Sequence, residues 1–257
     1  MAREDVLHRL EAAALADLSV IIPAYNEEAR LGPTLEAVLS YLQGGRRSYE
    51  VLVVDDGSSD RTADIASQWQ QKAPGLRLVR NERNRGKGYS VRRGVEEATG
   101  RFILFADADN STPIEQAEKL LAKLAEGYDV AIASRALPDS QLEVRQPFYR
   151  EKMGKAFGAV VRLLTGLPFR DCQCGFKAFR REAAKRLSAQ LTVERFAFDS
   201  ELLYLAVRKY GYKVAEVPVR WINSPDSRVN ALTDSWQMLW DVLRVRWRDW
   251  RGGYGKG

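Results

Sequence analysis

The chain has 257 residues, of which 45% are hydrophobic and 29% charged, an ordinary composition for a globular protein with a sizeable core. No uncharged run exceeds nine residues, well short of the ~20 apolar residues that span a bilayer. The first residues lack the apolar stretch of a signal peptide, so we expect an intracellular protein in which residues 1–17 form a short amphipathic helix. The net charge of +6 indicates an anionic partner, whether a phosphate compound, an anionic lipid surface or a nucleic acid.

The first half of the sequence alternates short apolar runs with segments of helical spacing. Strands are expected at Leu18–Ile22, Glu50–Val54, Leu76–Arg80, Phe102–Ala106 and Asp129–Ala133. Helices are expected from about Leu31, Arg61 and Tyr89, and after Thr112, where Thr, Pro and Glu suit the N-cap, N1 and N3 positions. Repeated strand–helix units predict an α/β fold with a mostly parallel sheet covered on both faces.

The second half is less regular. Its expected elements are a mobile loop at 135–147, a basic amphipathic helix at Phe148–Leu164, a strand-like return at Asp171–Arg180, a helix at Phe198–Tyr210, a strand at Val214–Trp221 and a last helix from about Leu232 to Trp250. We place the main domain at residues 18–230 and a C-terminal amphipathic helix with its tail at 231–257.

Three polar, acid-rich loops follow strands of the expected sheet. They are PAYNEE at 23–28, DDGSSD at 55–60 and DADNST at 107–112. In open α/β sheets, ligands bind beyond the carboxyl ends of the strands, so the three loops predict one site. Asp107 and Asp109 are the acids best placed to hold Mg²⁺, which takes one or two carboxylates together with phosphate oxygens. The alternative is a solvated loop whose acids only favour the start of the next helix.

Four other segments have both a chemical and a structural interpretation. In DDGSSD, an acid could accept a hydrogen bond from a base or ribose, or Gly57 and its neighbours could form only a turn and cap. In NRGKG, Lys87 between two glycines suits a phosphate, although glycine turns before helices are common. Arg135 could bind a diphosphate bidentately, while the nearby Arg150, Lys152 and Lys155 could instead belong to a solvated basic surface. In FDSE, Asp199 could act as a base or orient a basic group, or both acids could simply favour the helix start.

The two cysteines, Cys172 and Cys174, are separated by one residue, which is too tight for an ordinary structural disulfide. With a single histidine in the chain, a zinc site is not expected. We therefore interpret both as structural thiols.

Taken in order, the stretches VIIPAYNEE, VVDDGSSDRT, NRGKG, FADAD, SR, DCQCGFKAF and ERFAFDSELL resemble the inverting family 2 glycosyltransferases of the GT-A fold. DCQCGFKAF and ERFAFDSELL look most like those of the dolichyl-phosphate (polyprenyl-phosphate) β-glucosyltransferases. The resemblance covers roughly residues 18–230. It implies a Rossmann-like nucleotide-diphospho-sugar transferase domain that moves glucose from UDP-glucose to a polyprenyl phosphate with inversion, using Mg²⁺ or Mn²⁺.

The same resemblance implies roles for individual residues. The uridine pocket would be lined by Pro23, Ala24, Tyr25 and Glu27, with Asp55 or Asp56 in contact with the uracil and Lys87 near the nucleotide. Asp107 would face ribose and metal, and Asp109 would be the main metal ligand. The phosphates would be bound by Arg135, Arg145 and Lys177, and the sugar and acceptor would lie near Asp199 and Glu201. An acceptor phosphate is already anionic, so Asp199 is expected to orient groups rather than to act as a strong base.

Relatives often carry transmembrane helices, and this sequence shows none, so a lipid acceptor requires another route to the membrane. In the last helix, Trp236, Trp240, Leu243, Trp247 and Trp250 recur at spacings of 4, 3, 4 and 3 and form one stripe flanked by arginines. Such a stripe suits an interfacial helix, with Phe148–Leu164 as a second contact. The alternative is packing on its own domain or on a second subunit, as in a homodimer. The expected location is the cytoplasmic, inner face of a membrane.

Two alternatives to this function remain. The first alternative is a family 2 transferase that uses mannose or N-acetylglucosamine, or a non-lipid acceptor such as a glycan or a protein. The second is a nucleotide-sugar-binding protein without turnover, although no member of the expected catalytic set is missing. Nucleic-acid binding is not expected, because the positive charge is not segregated on a groove-reading helix or an aromatic sheet face.

Overall fold

A computed structural model of the protein describes residues 16–143, 148–223 and 233–255. The strands are β1 (Leu18–Ala24), β2 (Tyr49–Asp55), β3 (Leu76–Arg80), β4 (Phe102–Ala106), β5 (Val130–Ser134), β6 (Gln141–Glu143), β7 (Phe176–Arg180), β8 (Val214–Pro218) and β9 (Arg220–Ile222). The helices are α1 (Leu31–Gly44), α2 (Thr62–Lys72), α3 (Lys87–Glu97), α4 (Ala117–Ala125), α5 (Phe148–Thr165), α6 (Arg181–Gln190), α7 (Phe198–Tyr204) and α8 (Thr233–Trp250).

The central sheet has the strand order β3-β2-β1-β4-β7-β5-β8. All pairings are parallel except those of β7, which runs antiparallel between β4 and β5. Because β7 is reversed, its first residue, Phe176, pairs with the last residue of β4, Ala106. The segment before β7 therefore lies at the same sheet edge as the loops that follow the parallel strands. The expectation of a mostly parallel α/β sheet is confirmed.

Apolar side chains cover both faces of the sheet. One face packs Val20, Val53 and Leu104 against α1 and α4, and the other packs Ile21, Val54 and Phe105 against α3, α6 and α7. On the second face, α3 lies close to the sheet because of Gly94, where an added Cβ would fall 2.4 Å from Cγ2 of Ile21. Such an approach is open only to glycine, and it sets how closely α3 packs on the sheet.

Several expected elements differ in the structure. Within the expected return at Asp171–Arg180, only Phe176–Arg180 is a strand. The helix expected at Phe198–Tyr210 is α-helical to Tyr204 and continues as a π-helical turn through Lys209. Helix α6 was not expected, because its sequence is strongly polar and buries only Ala183, Ala184, Leu187 and Ser188.

The helix after the DADNST loop begins without the expected side-chain cap. It starts as a 3₁₀ turn at Ile114–Gln116 and becomes α-helical at Ala117. The hydroxyl of Thr112 lies 3.8 Å from Sγ of Cys174, in the segment before β7, and does not cap the helix backbone.

The strand expected at Val214–Trp221 divides at Val219. Its first part, β8, joins the main sheet, while β9 pairs in parallel with β6 in a separate two-stranded sheet. Pro218, the last residue of β8, has no N–H to continue the ladder. Strand β6 lies within the expected mobile loop 135–147, of which residues 144–147 are outside the described residues. The amide of Ile222 donates to the carbonyl of Ser111 over 2.7 Å, which ties this small sheet to the DADNST loop.

Helix α8 packs against α5 and α7 through one of its faces. Val242 and Val245 are buried on that face. Asp249 accepts a hydrogen bond from the hydroxyl of Tyr204 and pairs with Lys209, both on the α7 segment. None of the helices in the described ranges is long and apolar enough to cross a bilayer. The amphipathic helix expected at residues 1–17 falls almost entirely outside the described residues.

Candidate active site

The loops after β1 and β2 are interlocked by hydrogen bonds. The amide of Asn26 donates to Oγ of Ser58 over 2.9 Å, and the amide of Ser59 donates back to Oδ1 of Asn26 over 2.8 Å. Asn26 adopts the left-handed conformation at φ 52°, which asparagine tolerates better than most residues. The PAYNEE and DDGSSD loops therefore form one frame at the carboxyl edge of the sheet.

The residues expected to line a uridine pocket lie on this frame in different environments. Pro23 and Ala24 are buried at the end of β1, whereas Tyr25 is exposed. The carboxylate of Glu27 accepts two hydrogen bonds of 2.7 Å from the guanidinium of Arg30. Glu27 is therefore tied to Arg30, a residue that the sequence analysis did not select.

Asp55 and Asp56, which the sequence leaves as alternatives for a uracil contact, have different surroundings. The Asp56 carboxylate accepts hydrogen bonds from Nδ2 of Asn81 at 2.8 Å and from the amides of Arg85 and Gly86 at 3.1 and 2.7 Å. It therefore holds the Gly-rich turn in place. Oδ1 of Asp55 accepts from the amide of Ser58 over 3.1 Å.

The second oxygen of Asp55, unlike the first, accepts no hydrogen bond from the described residues. Oδ2 is buried and makes no hydrogen bond within the described residues, although Nε of the largely exposed Arg80 lies 3.2 Å away at ion-pair distance. A cleft of about 480 Å³ opens beside it and is lined by Gly57, Ser58, Arg80, Asn81 and Glu82. A buried acceptor without a hydrogen bond is costly unless a donor reaches it. Asp55 is therefore the better candidate for a nucleobase contact.

Lys87 and Asp107 meet at the centre of the edge. Nζ of Lys87 lies 2.5 Å from Oδ1 of Asp107. Burial alone would lower the pKa of Lys87, but Asp107, Asp199 and Asp109 raise it above its ordinary value. Gly175, just before β7, packs against the same carboxylate, because an added Cβ there would fall 2.1 Å from Oδ2 of Asp107. The glycine of DCQCGFKAF thus makes room for the first acid of the D-x-D pair.

Asp109 lies two residues further along, on a loop that turns through Asn110 at φ 50°. Its Oδ1 accepts from the amide of Ser111 over 3.0 Å, and its Oδ2 lies 3.9 Å from Nη1 of Arg30. The side chains of Asp107 and Asp109 are 36% and 22% exposed, so solvent reaches both.

The oxygens of these two acids fit a divalent cation whose remaining ligands come from a diphosphate and water. Within residues 16–143, 148–223 and 233–255, no cluster of three or more His, Cys, Asp or Glu side chains surrounds a common point. Two carboxylates suit the open coordination of Mg²⁺ or Mn²⁺, in which phosphate and water supply the other ligands.

Lys177 and Asp199 form a buried ion pair behind Asp107. Nζ of Lys177 lies 2.5 Å from Oδ1 of Asp199 and donates to the carbonyl of Cys174 over 2.6 Å. Burial raises the pKa of Asp199, while the ammonium groups of Lys177 and Lys87 act in the opposite direction. The sequence predicted both residues for the site but not their pairing. Lys177 is fully buried, so a ligand in the site would not touch its ammonium group directly.

Arg135 is held at the end of β5 by Asp171. Its Nε and Nη2 donate to the two carboxylate oxygens over 2.7 and 3.0 Å, and its own amide donates to Oδ2 over 3.0 Å. Burial alone would raise the pKa of Asp171, but Arg135 and backbone amides lower it to about 2. Arg135 also lies over the ring of Trp221. Arg145, expected beside it, lies outside the described residues.

Glu201, which the resemblance places near sugar and acceptor, is engaged by the segment between α6 and α7 and by the C-terminal tail, and its place beside a substrate stays a prediction. Its fully buried carboxylate accepts hydrogen bonds from the amides of Thr192 and Val193, from the hydroxyl of Thr192 and from the hydroxyl of Tyr254. Since α7 turns residues two apart toward different sides, the i and i+2 acids of FDSE have separate roles.

Both cysteines are reduced and buried. Burial raises the pKa of Cys172 to about 12 and that of Cys174 to about 11, so neither is a thiolate at neutral pH. They fill space in the segment that carries Asp171, Gly175 and Lys177, in agreement with their interpretation as structural thiols.

One face of α8 is uncovered. Trp236, Trp240, Leu243, Trp247 and Trp250 are exposed, with Trp236 at 74% and Trp250 at 83%, and Leu163 and Val160 on the neighbouring α5 are exposed as well. Arg244, Arg248 and Arg251 are exposed beside the stripe. We call these seven apolar residues the apolar face. Since it lies opposite the buried Val242 and Val245, packing of the stripe on its own domain is excluded within the described residues.

The sheet order, the strand-end acids and the basic residues among them define an α/β transferase of the GT-A type. The sequence matches the family described as Glycosyl transferase family 2 over residues 19–188, and the chain belongs to that family. It is therefore a glycosyltransferase, as the resemblance of its motifs predicted.

Dolichyl-phosphate beta-glucosyltransferases are similar to the chain over most of its length. The protein of Drosophila melanogaster is 40% identical over 249 residues, which are 92% of this chain and 76% of the relative. Those of Homo sapiens and Dictyostelium discoideum are each 37% identical, over 92% and 90% of this chain and 77% and 74% of the relative.

Solved structures share the fold at lower identity. Mannosyl-3-phosphoglycerate synthase of Rubrobacter xylanophilus superposes with a TM-score of 0.70 at 21% identity, over 97% of this chain and 78% of that one. Glucosyl-3-phosphoglycerate synthase of Mycobacterium tuberculosis, crystallised with Mn²⁺, UDP-glucose and phosphoglyceric acid, has a TM-score of 0.67 at 23% identity, over 92% and 81%. These likenesses confirm the GT-A fold.

Proposed function

We propose that the protein transfers glucose from UDP-glucose to a polyprenyl (dolichyl-type) phosphate with inversion, giving the β-linked lipid phosphate sugar. The observation that carries this proposal is the 37–40% identity, over about nine-tenths of the chain, to dolichyl-phosphate beta-glucosyltransferases of three organisms. The strand-end site supports it, because cations and carboxylates alternate there as two phosphorylated substrates require.

The donor would lie across the carboxyl ends of β1, β2 and β4. Oδ2 of Asp55 would accept a hydrogen bond from the uracil in the cleft beside Arg80. Lys87 would lie beside the diphosphate as a fixed positive charge, since its raised pKa keeps it protonated. Asp107 and Asp109 would hold Mg²⁺ or Mn²⁺, which supplies charge neutralisation for the departing diphosphate.

The acceptor phosphate is already an anion, so the chain needs to bring two anions together rather than to remove a proton. Positive charge for this step comes from Lys87 and Arg135. Asp171 fixes the orientation of the Arg135 guanidinium. Asp199 is engaged with Lys177, which suits an orienting residue better than a free base. A displacement from the face opposite the diphosphate then inverts the anomeric carbon.

The membrane-bound acceptor would be reached through the apolar face of α8 and α5. Exposed tryptophans beside arginines suit a helix that lies at the level of lipid headgroups, and the net charge of +6 favours an anionic surface. The protein would then act as a peripheral enzyme on the inner, cytoplasmic face. The alternative is that a second copy of the chain covers the apolar face, and experiment can distinguish the two.

A screen of donors against acceptors with purified protein tests the proposal. UDP-glucose, UDP-N-acetylglucosamine and GDP-mannose are each offered with polyprenyl phosphate or with soluble glycan and peptide acceptors, with and without EDTA. Metal-dependent release of UDP only with UDP-glucose and the lipid phosphate is the expected result. Turnover with a soluble acceptor but none with any lipid phosphate would contradict it, and no turnover with any pair would favour a binding protein.

A further inference from the structure

The C-terminal tail turns back into the protein after α8. The amides of Gly252 and Gly253 donate to the carbonyls of Asp249 and Arg248 over 2.9 and 2.8 Å, and Gly252 has a φ of 70°. This left-handed turn, which favours glycine, reverses the chain at the helix end. Tyr254 consequently lies in the core, 3% exposed, on the face of the sheet that carries α3 and α7.

The hydroxyl of Tyr254 reaches Glu201. It donates to Oε1 over 2.6 Å, and the same carboxylate accepts from the amides of Thr192 and Val193 over 2.9 and 2.8 Å. Burial raises the pKa of Tyr254, so the hydroxyl remains a donor at all working pH values. Tyr254 and Glu201 together therefore fix the backbone of the segment between α6 and α7.

That segment packs directly against the Gly-rich turn of the site. The carbonyl of Glu194 accepts from the amide of Tyr89 over 3.1 Å. An added Cβ at Gly86 would fall 2.4 Å from the same carbonyl oxygen, and one at Gly88 would fall 2.6 Å from that of Val193. The two glycines that flank Lys87 are thus in contact with two consecutive carbonyls of the segment that Glu201 holds.

We propose that Tyr254 is a positioning residue for donor binding, acting through Glu201 on the turn that carries Lys87. Displacement of the Thr192–Glu194 backbone by a few tenths of an ångström would move Gly86 and Gly88, and with them the ammonium group beside Asp107. The proposal rests on the proposed function only in that UDP-glucose is the donor. It also links the tail that follows the apolar face to the Gly-rich turn of the site, through Glu201 and the Thr192–Glu194 segment.

The test compares Tyr254→Phe with Tyr212→Phe, the same change in a tyrosine that packs against the same core and stacks on Tyr210. Loss of one hydroxyl is expected to raise the KM for UDP-glucose and the Kd for UDP about three- to tenfold. The kcat should change less than twofold, and Tyr212→Phe should leave all three unchanged. If Tyr254 has a purely structural role, Tyr254→Phe would lower Tm but leave the KM for UDP-glucose and the Kd for UDP of the folded enzyme unchanged, and that result would overturn the proposal.

Amide hydrogen exchange gives a readout that is independent of turnover. In Tyr254→Phe, the amides of Thr192, Val193 and Tyr89 should exchange faster than in the parent protein. The amide of Arg85, held by Asp56, should change least. Unchanged exchange at Val193 and Tyr89 would overturn the proposed link between Tyr254 and the Gly-rich turn, even if activity fell. Failure of the parent protein to bind UDP would contradict the proposed function, while the exchange result would still decide whether this link exists.

A double-mutant cycle with Glu201→Gln tests the route. If Tyr254 acts through Glu201, the double variant should match Glu201→Gln alone within about twofold in the Kd for UDP. Multiplied effects of the two changes would show that Tyr254 acts by another path and would overturn the assignment. If Glu201→Gln does not fold, Tyr254→Phe and its exchange pattern decide.

Discussion

Nζ of Lys87 and Oδ1 of Asp107 are 2.5 Å apart, so the cation of the Gly-rich turn and the first acid of the D-x-D pair neutralise one another. A diphosphate and its metal ion would each find a partner in this pair, the phosphate at Lys87 and the metal at Asp107. The pairing explains how the edge can hold opposite charges close together before substrates bind. It also predicts that the two residues affect different ligands.

Replacing Lys87 with Gln should weaken donor binding more than metal binding. The variant removes the positive charge beside the diphosphate but leaves both acids, so the Kd for UDP should rise at least about tenfold, the scale of a charge-assisted hydrogen bond. The metal concentration for half-maximal activity should rise less than twofold. Titration calorimetry with UDP and a Mn²⁺ titration of turnover measure the two, with Lys72→Gln as the control. An equal loss in both would contradict separate roles.

Replacing Asp109 with Ala should remove metal-dependent turnover while leaving the fold intact. The Asp109 carboxylate is partly exposed and its protein contacts are one loop amide and Arg30 at 3.9 Å, so Tm should change by no more than a few degrees. UDP release in a Mn²⁺ series should fall at least about a hundredfold, because a metal ligand is lost. Asp64→Ala, at an exposed helical site, is the control. Turnover that survives in Asp109→Ala would show that the D-x-D acids belong to a solvated loop and not to a metal site.

The strand-end loops could be predicted from the sequence because each follows a short apolar run, and parallel strands end at one edge by construction. The contacts behind them could not. Gly175 and Lys177 reach Asp107 and Asp199 only because β7 inserts antiparallel between β4 and β5, a topology that no local pattern specifies. Arg135 with Asp171 and Glu201 with Tyr254 are separated by 36 and 53 residues, and tertiary packing alone brings them together.

Replacing Asp199 with Asn should destabilise the protein and reduce turnover without abolishing it. The change leaves the buried Lys177 without its counter-charge, at a cost of about 3–5 kcal/mol in the free energy of unfolding. In Lys177→Met/Asp199→Asn, both charges are gone and part of that loss should be recovered. Urea unfolding measures the stability, and turnover is corrected for the folded fraction. Complete loss of turnover in the fully folded Asp199→Asn variant would identify Asp199 as a base.

Acid should lower the free energy of unfolding, because it protonates the carboxylate of Asp171. Its pKa is lowered from 3.8 to about 2 in the folded state, so the carboxylate contributes stability above pH 4 that is lost as the pH falls toward 2. A difference of this size corresponds to about 2 kcal/mol. Asp171→Asn should lack that contribution at pH 7 and show a flatter dependence between pH 4 and 2. Urea unfolding across this range measures the slopes.

The exposed Asp139, changed to Asn, is the matched control for Asp171 and should keep the parent slope. Asp171→Asn also releases the guanidinium of Arg135 from its two carboxylate contacts. The KM for the acceptor should therefore rise even at pH 7, where the variant remains folded. Equal slopes for parent and Asp171→Asn would show that the pair contributes nothing to acid stability.

Substitutions in the apolar face should show whether it binds a membrane or a second subunit. Trp236→Ser/Trp240→Ser/Trp247→Ser removes most of its area, which on a lipid surface should reduce binding to anionic vesicles at least about tenfold. Turnover with a short, water-soluble prenyl phosphate should stay within twofold, because these tryptophans lie outside the site. Leu142→Ser, at an exposed position on β6, is the control.

If light scattering instead shows that the parent is a dimer and the triple variant a monomer, with vesicle binding unchanged, the face is a contact between two copies. Binding that depends on anionic lipid and on these tryptophans would assign the arginines beside them to headgroup phosphates, since cations next to an interfacial stripe lie at headgroup depth.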